Sequence, residues 1–472
     1  MKNKVYKIVL VATVGVMLQS CFTAKDYKRP NVKAENLYRT EAVAQDSTSL
    51  ADIKWDKMFT DPILQEHIKK GLQNNFDTRI AIQNIVSSEA YLKQGKATFF
   101  PTLSGTGSWQ HQQLAKNSQF GSFFSGSIDT YLLTANLSWE ADIWGKIRSN
   151  KRAYNATYLQ TIAANQTIKT TIIANVASMY YQLLALDEQL KVAENTLQNR
   201  VESIETIKAL MNAGSANEVA VKQTEAQKYA TEITIADLKN SITLTENGLS
   251  LLLGEAPHKI ERSTFAAQQV NPEMKLGYSA SLLKNRPDVI SAEYGLVNAF
   301  ELTNVARSAF YPSLTITAQG GLQSVDLKTW FSTNSLFATI LTGLTQPIFN
   351  QRQIRTKYEA AKASQEIAYV KFEQSIVTAS REVSDALANY KNAEEKIGLY
   401  EQQTDALKKA ADYSDELLNY GMVNYLEVLT AKANALNSEL SLIDMKYKKL
   451  SATITLYKAL GAVSYTHLRA HE

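Results

Sequence analysis

The chain has 472 residues, with 50 Lys and Arg against 46 Asp and Glu, for a formal net charge of +4. One cysteine excludes a disulfide framework and a thiolate metal cluster, and five histidines leave little for metal or acid–base chemistry. The near balance of charge speaks against a nucleic-acid partner, and only 8 prolines and 19 glycines in the whole chain favour long uninterrupted helices.

The N-terminus reads as an address. Lys2, Lys4 and Lys7 precede an apolar run from Ile8 to Leu18. The run is too short to span a bilayer but suits the apolar region of a secretory signal. It ends in Leu18-Gln19-Ser20-Cys21, which resembles a bacterial lipobox, although Gln19 is an unusual choice there. In that motif the small residue before the cysteine permits cleavage and the thiol takes a diacylglycerol. The alternative is an ordinary signal peptide with an incidental cysteine; the position of the sole cysteine favours lipidation. Residues 1–20 are expected to be a lipoprotein signal peptide, and 21–60 a lipidated extension. Removing 1–20 takes away three lysines and no acid, so the balance falls to +1. No later stretch reaches the apolar length of a transmembrane helix.

From residue 61 onward the chain repeats itself. Ala97-Thr98-Phe99-Phe100-Pro101-Thr102-Leu103 is matched by Ser308-Ala309-Phe310-Tyr311-Pro312-Ser313-Leu314 at an offset of 211, which also pairs Leu72, Asn74 and Asp77 with Leu283, Asn285 and Asp288. Further on the offset is 207: Ile147-Arg148 matches Ile354-Arg355, Gly214 matches Gly421, and Leu253-Gly254 matches Leu460-Gly461. Two repeats are expected, over 61–254 and 281–462, joined by a linker over 255–280 that holds Pro257 and Pro272.

Each repeat reads as helix, strand pair, very long helix, tight turn, helix. Asp61-Pro62 fits a helix start, with Asp as cap and Pro at the first position. Arg286-Pro287-Asp288 fits another, in which Asp288 serves the first turn rather than catalysis. Strands are expected at about 102–112 and 130–143 in the first repeat, and at about 313–324 and 336–348 in the second. Long helices are expected at about 146–213 and 351–420: Lys146 to Ala213 holds no Gly or Pro in 68 residues, and Gln351 to Tyr420 one Gly and no Pro in 70. Each would be roughly 100 Å long at the helical rise. Ile172, Val176, Met179, Leu183, Leu186, Leu190, Ala193, Leu197, Val201 and Ile204 alternate steps of four and three, as do Leu426, Leu429, Ala433, Leu436, Leu440, Ile443, Tyr447, Leu450, Ile454 and Tyr457. That is the period of supercoiled knobs-into-holes packing. Turns at Gly214 and Gly421 fold the rods into antiparallel hairpins.

The strands are built differently. Leu103, Gly105, Gly107 and Trp109 alternate with Ser104, Thr106, Ser108 and Gln110; Tyr131 to Ile143 and Leu314 to Leu322 follow the same rule, and Leu336 to Ile348 less cleanly. Strands of about ten residues with one apolar and one polar face suit a membrane barrel around a wet lumen, with Trp109, Trp139 and Trp144 available for its aromatic girdles. A soluble sandwich would need more strands than four. Four strands cannot close a barrel, and an open edge in lipid strands backbone polar groups at several kcal/mol each. Other copies of the chain must therefore complete the wall.

At this point the residues resemble the TolC-like outer-membrane efflux family, in its lipidated drug and metal efflux branch. The resemblance rests on Cys21 followed by Tyr27-Lys28-Arg29-Pro30, on Trp55, Phe59, Asp61 and Pro62, and on Ser138-Trp139-Glu140-Ala141-Asp142-Ile143-Trp144-Gly145. It continues through Leu282-Leu283-Lys284-Asn285-Arg286-Pro287-Asp288 with Ala292-Glu293, Leu344-Thr345-Gln346-Pro347-Ile348-Phe349 and Tyr420-Gly421. Taken in order these span about 430 residues. The resemblance implies a mainly α homotrimer with a small transmembrane β part: a twelve-stranded barrel in the outer membrane, four strands from each protomer, over a coiled-coil helical tunnel in the periplasm. It implies a passive exit duct for drugs or metal ions, with a periplasmic adaptor, a proton-driven inner-membrane pump and outer-membrane lipid as partners. It implies no cofactor beyond a lipid on Cys21, and no enzyme activity.

The resemblance also assigns roles at the turns. Adaptor contact falls to Gly214, Ser215 and Ala216 at the first turn, and to Gly421, Met422 and Val423 at the second. The gate positions match Glu427 and Thr430; Thr430 and Ala220 replace frequent acids, and Val423 replaces a basic latch residue, so one acidic ring is expected instead of two. The plain alternative for Glu427 is a solvated helix start. Rival readings are a type I secretion channel for polypeptides and a coiled-coil structural or adaptor lipoprotein without a pore. The second leaves the strands and the duplication unexplained. No phosphate loop, HExxH, or Ser or Cys beside a plausible base supports an enzyme. The last residues, 463–472, run past the repeat and resemble a non-native tail, so His467 and His471 are not read as a metal site.

Overall fold

A computed structural model describes residues 24–30, 54–119, 121–123, 126–268 and 286–461. Cys21, the signal region, residues 269–280 of the linker, Leu282 to Asn285 and the tail lie outside the described residues. The first repeat holds α1 (Pro62–Asn74), α2 (Phe76–Ala97), β1 (Thr102–Gln113), β2 (Ser127–Ala141), α3 (Lys146–Asn212) and α4 (Glu218–Leu252). The second holds α5 (Pro287–Ser308), β3 (Ser313–Ser324), β4 (Leu336–Thr345), α6 (Gln353–Asn419) and α7 (Tyr425–Ala459). The two long helices have 67 residues each and the two shorter ones 35 each, so each long rod is about 100 Å of helix. None of the described helices is long and apolar enough to cross a membrane.

The chain divides into two compact units: residues 1–31, 85–160 and 292–372, and residues 32–84, 161–291 and 373–472. The first unit holds the sheet, antiparallel in the order β1-β2-β3-β4. Its register puts like with like. Leu133 sits opposite Gly107 and Leu322, and Leu322 opposite Leu336; Leu137 sits opposite Leu103 and Ala318, and Ala318 opposite Ile340. Directly opposed residues share a face, so one face is apolar through all four strands. The other carries Ser104, Thr106, Asn136, Ser138, Thr317 and Gln319, interrupted on β4 by Phe337 and Leu341. The apolar face is bare: Leu103 is 72% exposed, Leu336 65% and Ile340 76%.

Asp142 leaves the strand instead of extending it. Its carboxylate accepts from the Ile147 and Arg148 N–H groups at 2.8 and 3.0 Å and from Arg148 Nε at 3.0 Å, and so caps α3. Gly145, at φ +77°, makes the bend. The equivalent position in the second repeat is Arg352, held at φ +66°; the duplication keeps the left-handed backbone without the glycine that suits it.

The second unit holds the turns and a tightly packed belt. Phe59 packs edge-on against Tyr457 with centroids 6.0 Å apart; Tyr180, Leu183, Leu64 and Ile68 are fully buried. Asp61 caps α1 through the Ile63 N–H at 2.9 Å, but it does more. Its other oxygen accepts from Tyr180 Oη at 2.7 Å, Ser263 Oγ at 2.5 Å and Gln268 Nε2 at 2.9 Å. The duplication recurs in these contacts. Asn75 Nδ2 donates to the Leu252 carbonyl at 3.0 Å, and Arg286 Nη1 donates to the Ala459 carbonyl at 2.7 Å, so each copy ties the C-terminus of its second hairpin helix to the start of the helix that precedes its strands. Arg286 also pairs with Asp288 and Glu382, each at 2.7 Å.

The heptad register drifts near the turns. Val201, expected in the seam, is 45% exposed, whereas Arg200 is 5% and Ile207 fully buried; Leu426 is 55% exposed. An α-helix of 3.6 residues per turn falls out of step with a strict 3.5 repeat, and at this level an arginine has taken the inward position.

Candidate functional site

The two hairpin turns are copies of one motif. At the first, Ser215 N–H donates to the Leu210 carbonyl at 2.8 Å and Gly214 N–H to Met211 at 3.0 Å. At the second, Met422 N–H donates to Leu417 and Gly421 N–H to Leu418, both at 2.9 Å. This is the Schellman ending, which needs a left-handed residue; Gly214 stands at φ +73° and Gly421 at φ +68°. A Cβ on either glycine would meet nothing within 4 Å, so backbone conformation demands the glycine, and the space around both turns is open. Asn217 and Asn424 then cap the returning helices, accepting from the Ala220 and Glu427 N–H groups at 3.1 Å each.

Gly214, Ser215, Gly421 and Met422 are exposed, and Ala216 and Val423 half-buried. Glu427 and Thr430 lie one turn apart on the exposed side of α7. Glu427 is also part of the cap, its carboxylate accepting from Asn424 Nδ2 at 3.1 Å. Asn424 and Glu427 have capping-box spacing, a signal present in the sequence and unused there. Thr430 Oγ donates back to the Leu426 carbonyl at 2.8 Å. The first residue of α7, Tyr425, faces the other hairpin: burial pushes its hydroxyl upward, and Thr224 and Ser203 hydrogen-bond to it.

At the sheet-bearing unit, residues 24–30 form an extended segment along α5. Asn304 brackets Lys25, accepting from its N–H at 3.2 Å and donating to its carbonyl at 2.9 Å. Tyr27 packs edge-on against Phe300 at 5.6 Å, and Arg29 pairs with Glu293 at 2.8 Å. Glu293, Phe300 and Asn304 share one face of the helix, and the segment runs antiparallel to it. Ala24 therefore lies at the end of α5 from which β3 departs, with its Cβ against Gly145.

A sequence profile described as "Outer membrane efflux protein" matches residues 67–255 and 279–462. The chain is 27% identical over 453 residues to the cation efflux system protein CusC of Escherichia coli K12, covering 95% of this chain and 97% of that protein. It is 30% identical over 454 residues to the solvent efflux pump outer membrane protein SrpC of Pseudomonas putida, covering 94% and 96%. Crystal structures of CusC, described as bearing on transmembrane channel formation, superpose with a TM-score of 0.84 at 27% identity over 93% of this chain and 100% of that one. The CmeC outer membrane channel of Campylobacter jejuni shares the fold, with a TM-score of 0.86 at 22% identity over 95% and 96%. The chain belongs to the outer membrane efflux protein family.

Proposed function

We propose that this chain is one third of a passive exit duct through the outer membrane, receiving small molecules from an inner-membrane pump through a periplasmic adaptor. The observation that carries the reading is the sheet: four strands whose register continues one bare apolar face from β1 to β4, with β1 and β4 as unpaired edges. In lipid those edges must be paired, and a ring of three copies closes twelve strands, within the range of bacterial barrels. The polar face then lines a wet lumen. The efflux relatives, named for cations and for solvents, support small cargo, with the pump and adaptor choosing among cargoes.

The open turns at Gly214 to Ala216 and Gly421 to Val423 are the surfaces offered to the adaptor, and Glu427 supplies one acidic ring at the gate. Cys21 carries the acyl anchor; it lies only three residues before Ala24, within about 10 Å of chain from the sheet end of α5.

Purified protein in detergent should run as a heat-modifiable trimer and open discrete conductances in planar bilayers. A stable monomer that dissolves without detergent, and forms no channels, would overturn the reading.

A further inference from the structure

Arg200 lies on α3, about four turns before Gly214, in the seam position that the heptad assigns to Val201. Its side chain is 95% withdrawn from solvent, being 5% exposed. One donor, Nη1, reaches Gln227 Oε1 at 2.9 Å. Nε has no hydrogen-bond partner among the described residues. Beside it is a cavity of about 640 Å³ between the two hairpins, lined by Asn199, Ser203 and Tyr425 among others. Arginine stays protonated in proteins, and a buried charge without a counter-charge is strongly unfavourable.

The acids of this cavity do not supply that counter-charge. Glu439 is taken by Lys408, and Asp415 by Lys432 at 2.7 Å. Glu202 and Asp412 are exposed at the rim. Burial pulls the Arg200 guanidinium down, and no carboxylate acts against that pull. A neutral amide, a phenol and a pair of small polar side chains surround a cation that lacks an anion.

We propose that Arg200 and the cavity beside it bind a small oxyanion, phosphate or carboxylate, between the hairpins. A guanidinium takes an oxyanion through two parallel bonds along its Nε edge, and Nε is the donor left without a partner here. Asn199 offers a further donor, and the cavity holds such an ion together with water. The occupied site would join α3 of one hairpin to Tyr425 of the other, two residues from Glu427, and so favour the arrangement in which the two hairpins are packed together.

The test uses the full chain in detergent, titrated with inorganic phosphate at constant ionic strength set by chloride, with acetate as a parallel arm. An ion that binds only the folded state raises the melting temperature with its logarithmic concentration. The wild type should rise by several degrees, in proportion to the logarithm of phosphate concentration once that exceeds the Kd. Arg200→Gln should not respond, and Arg200→Lys should need about tenfold more phosphate, because the ammonium lacks the fork. Gln227→Glu sets a carboxylate against Nη1; it should melt higher without phosphate and respond little to it. A response to acetate as well as phosphate supports a general oxyanion site, and a response to phosphate alone supports one that selects for charge. No response in the wild type, or an equal response in Arg200→Gln, overturns the proposal. Should Arg200→Gln fail to fold, an undiminished phosphate response in Gln227→Glu overturns it.

Discussion

At the scale of single residues, two carboxylates show how differently the same group can be used. Asp61 was legible as a helix cap from Asp-Pro alone, but the cap accounts for one of its four hydrogen bonds. Burial would raise its pKa, yet the bonds from Ser263, Tyr180, Gln268 and the Ile63 N–H outweigh burial and hold it below the usual value. A depressed folded pKa stabilises above the unfolded value of about 3.9 and loses that contribution as pH falls through the folded one. Asp61→Asn should cost about 2 kcal/mol at pH 7, and the gap to wild type should close in acid below about pH 4; urea unfolding across pH measures it. Glu427, by contrast, is exposed and shares its carboxylate with Asn424. Three such groups around one axis would repel unless hydrated, protonated or bridged by a cation. Cation block of single-channel current should weaken about tenfold in Glu427→Ala, a loss of roughly 1.4 kcal/mol. Unchanged block would remove Glu427 from the gate.

At the scale of elements, the strands and the rods differ in what a sequence reveals about them. Alternation identified three strands at once, because period-two patterning is local. β4 reads poorly on its own, since Phe337 and Leu341 interrupt its polar side; only its pairing with β3 shows that Leu336, Ala338 and Ile340 continue the apolar face. The two faces should therefore tolerate charge unequally. Ala135→Arg, on the apolar side, should destabilise by about 2–4 kcal/mol near the bilayer centre. Asn136→Arg, one residue on and facing the opposite way, should leave folding intact while altering conductance and ion selectivity. Comparable assembly of both variants, read from trimer bands, would contradict the orientation of the sheet. On the rods the heptad located the seam but not its register at the far end, where Arg200 replaces Val201 on the inside. Small departures from the repeat accumulate along a helix of 67 residues.

At the scale of the molecule, the duplication organises everything described. The equal helix lengths, the twin Schellman turns at Gly214 and Gly421, and the twin ties from Asn75 and Arg286 to hairpin carbonyls all follow it. It is imperfect where the copies do different work: Gly145 becomes Arg352, and a neutral tie becomes a charged one that also recruits Glu382. The anchor proposed at Cys21 belongs to this scale too. Residues 24–30 are held along α5 by Asn304, Phe300 and Glu293 whether or not a lipid precedes them. Cys21→Ala should therefore abolish incorporation of labelled palmitate while leaving trimer bands and conductance in place; loss of the trimer would show that the lipid, not the strap, seats the N-terminus.

The mainly α fold class, the internal repeat, the hairpin turns and the amphipathic strands were written in the sequence, because breakers, periodicity and capping residues act over a few positions and leave their mark there. The four-hydrogen-bond setting of Asp61, the shared cap of Glu427, the continuity of the apolar face into β4 and the inward turn of Arg200 were decided only by tertiary structure. Each depends on which distant segments meet, and burial and pairing between distant segments are set by the packed whole.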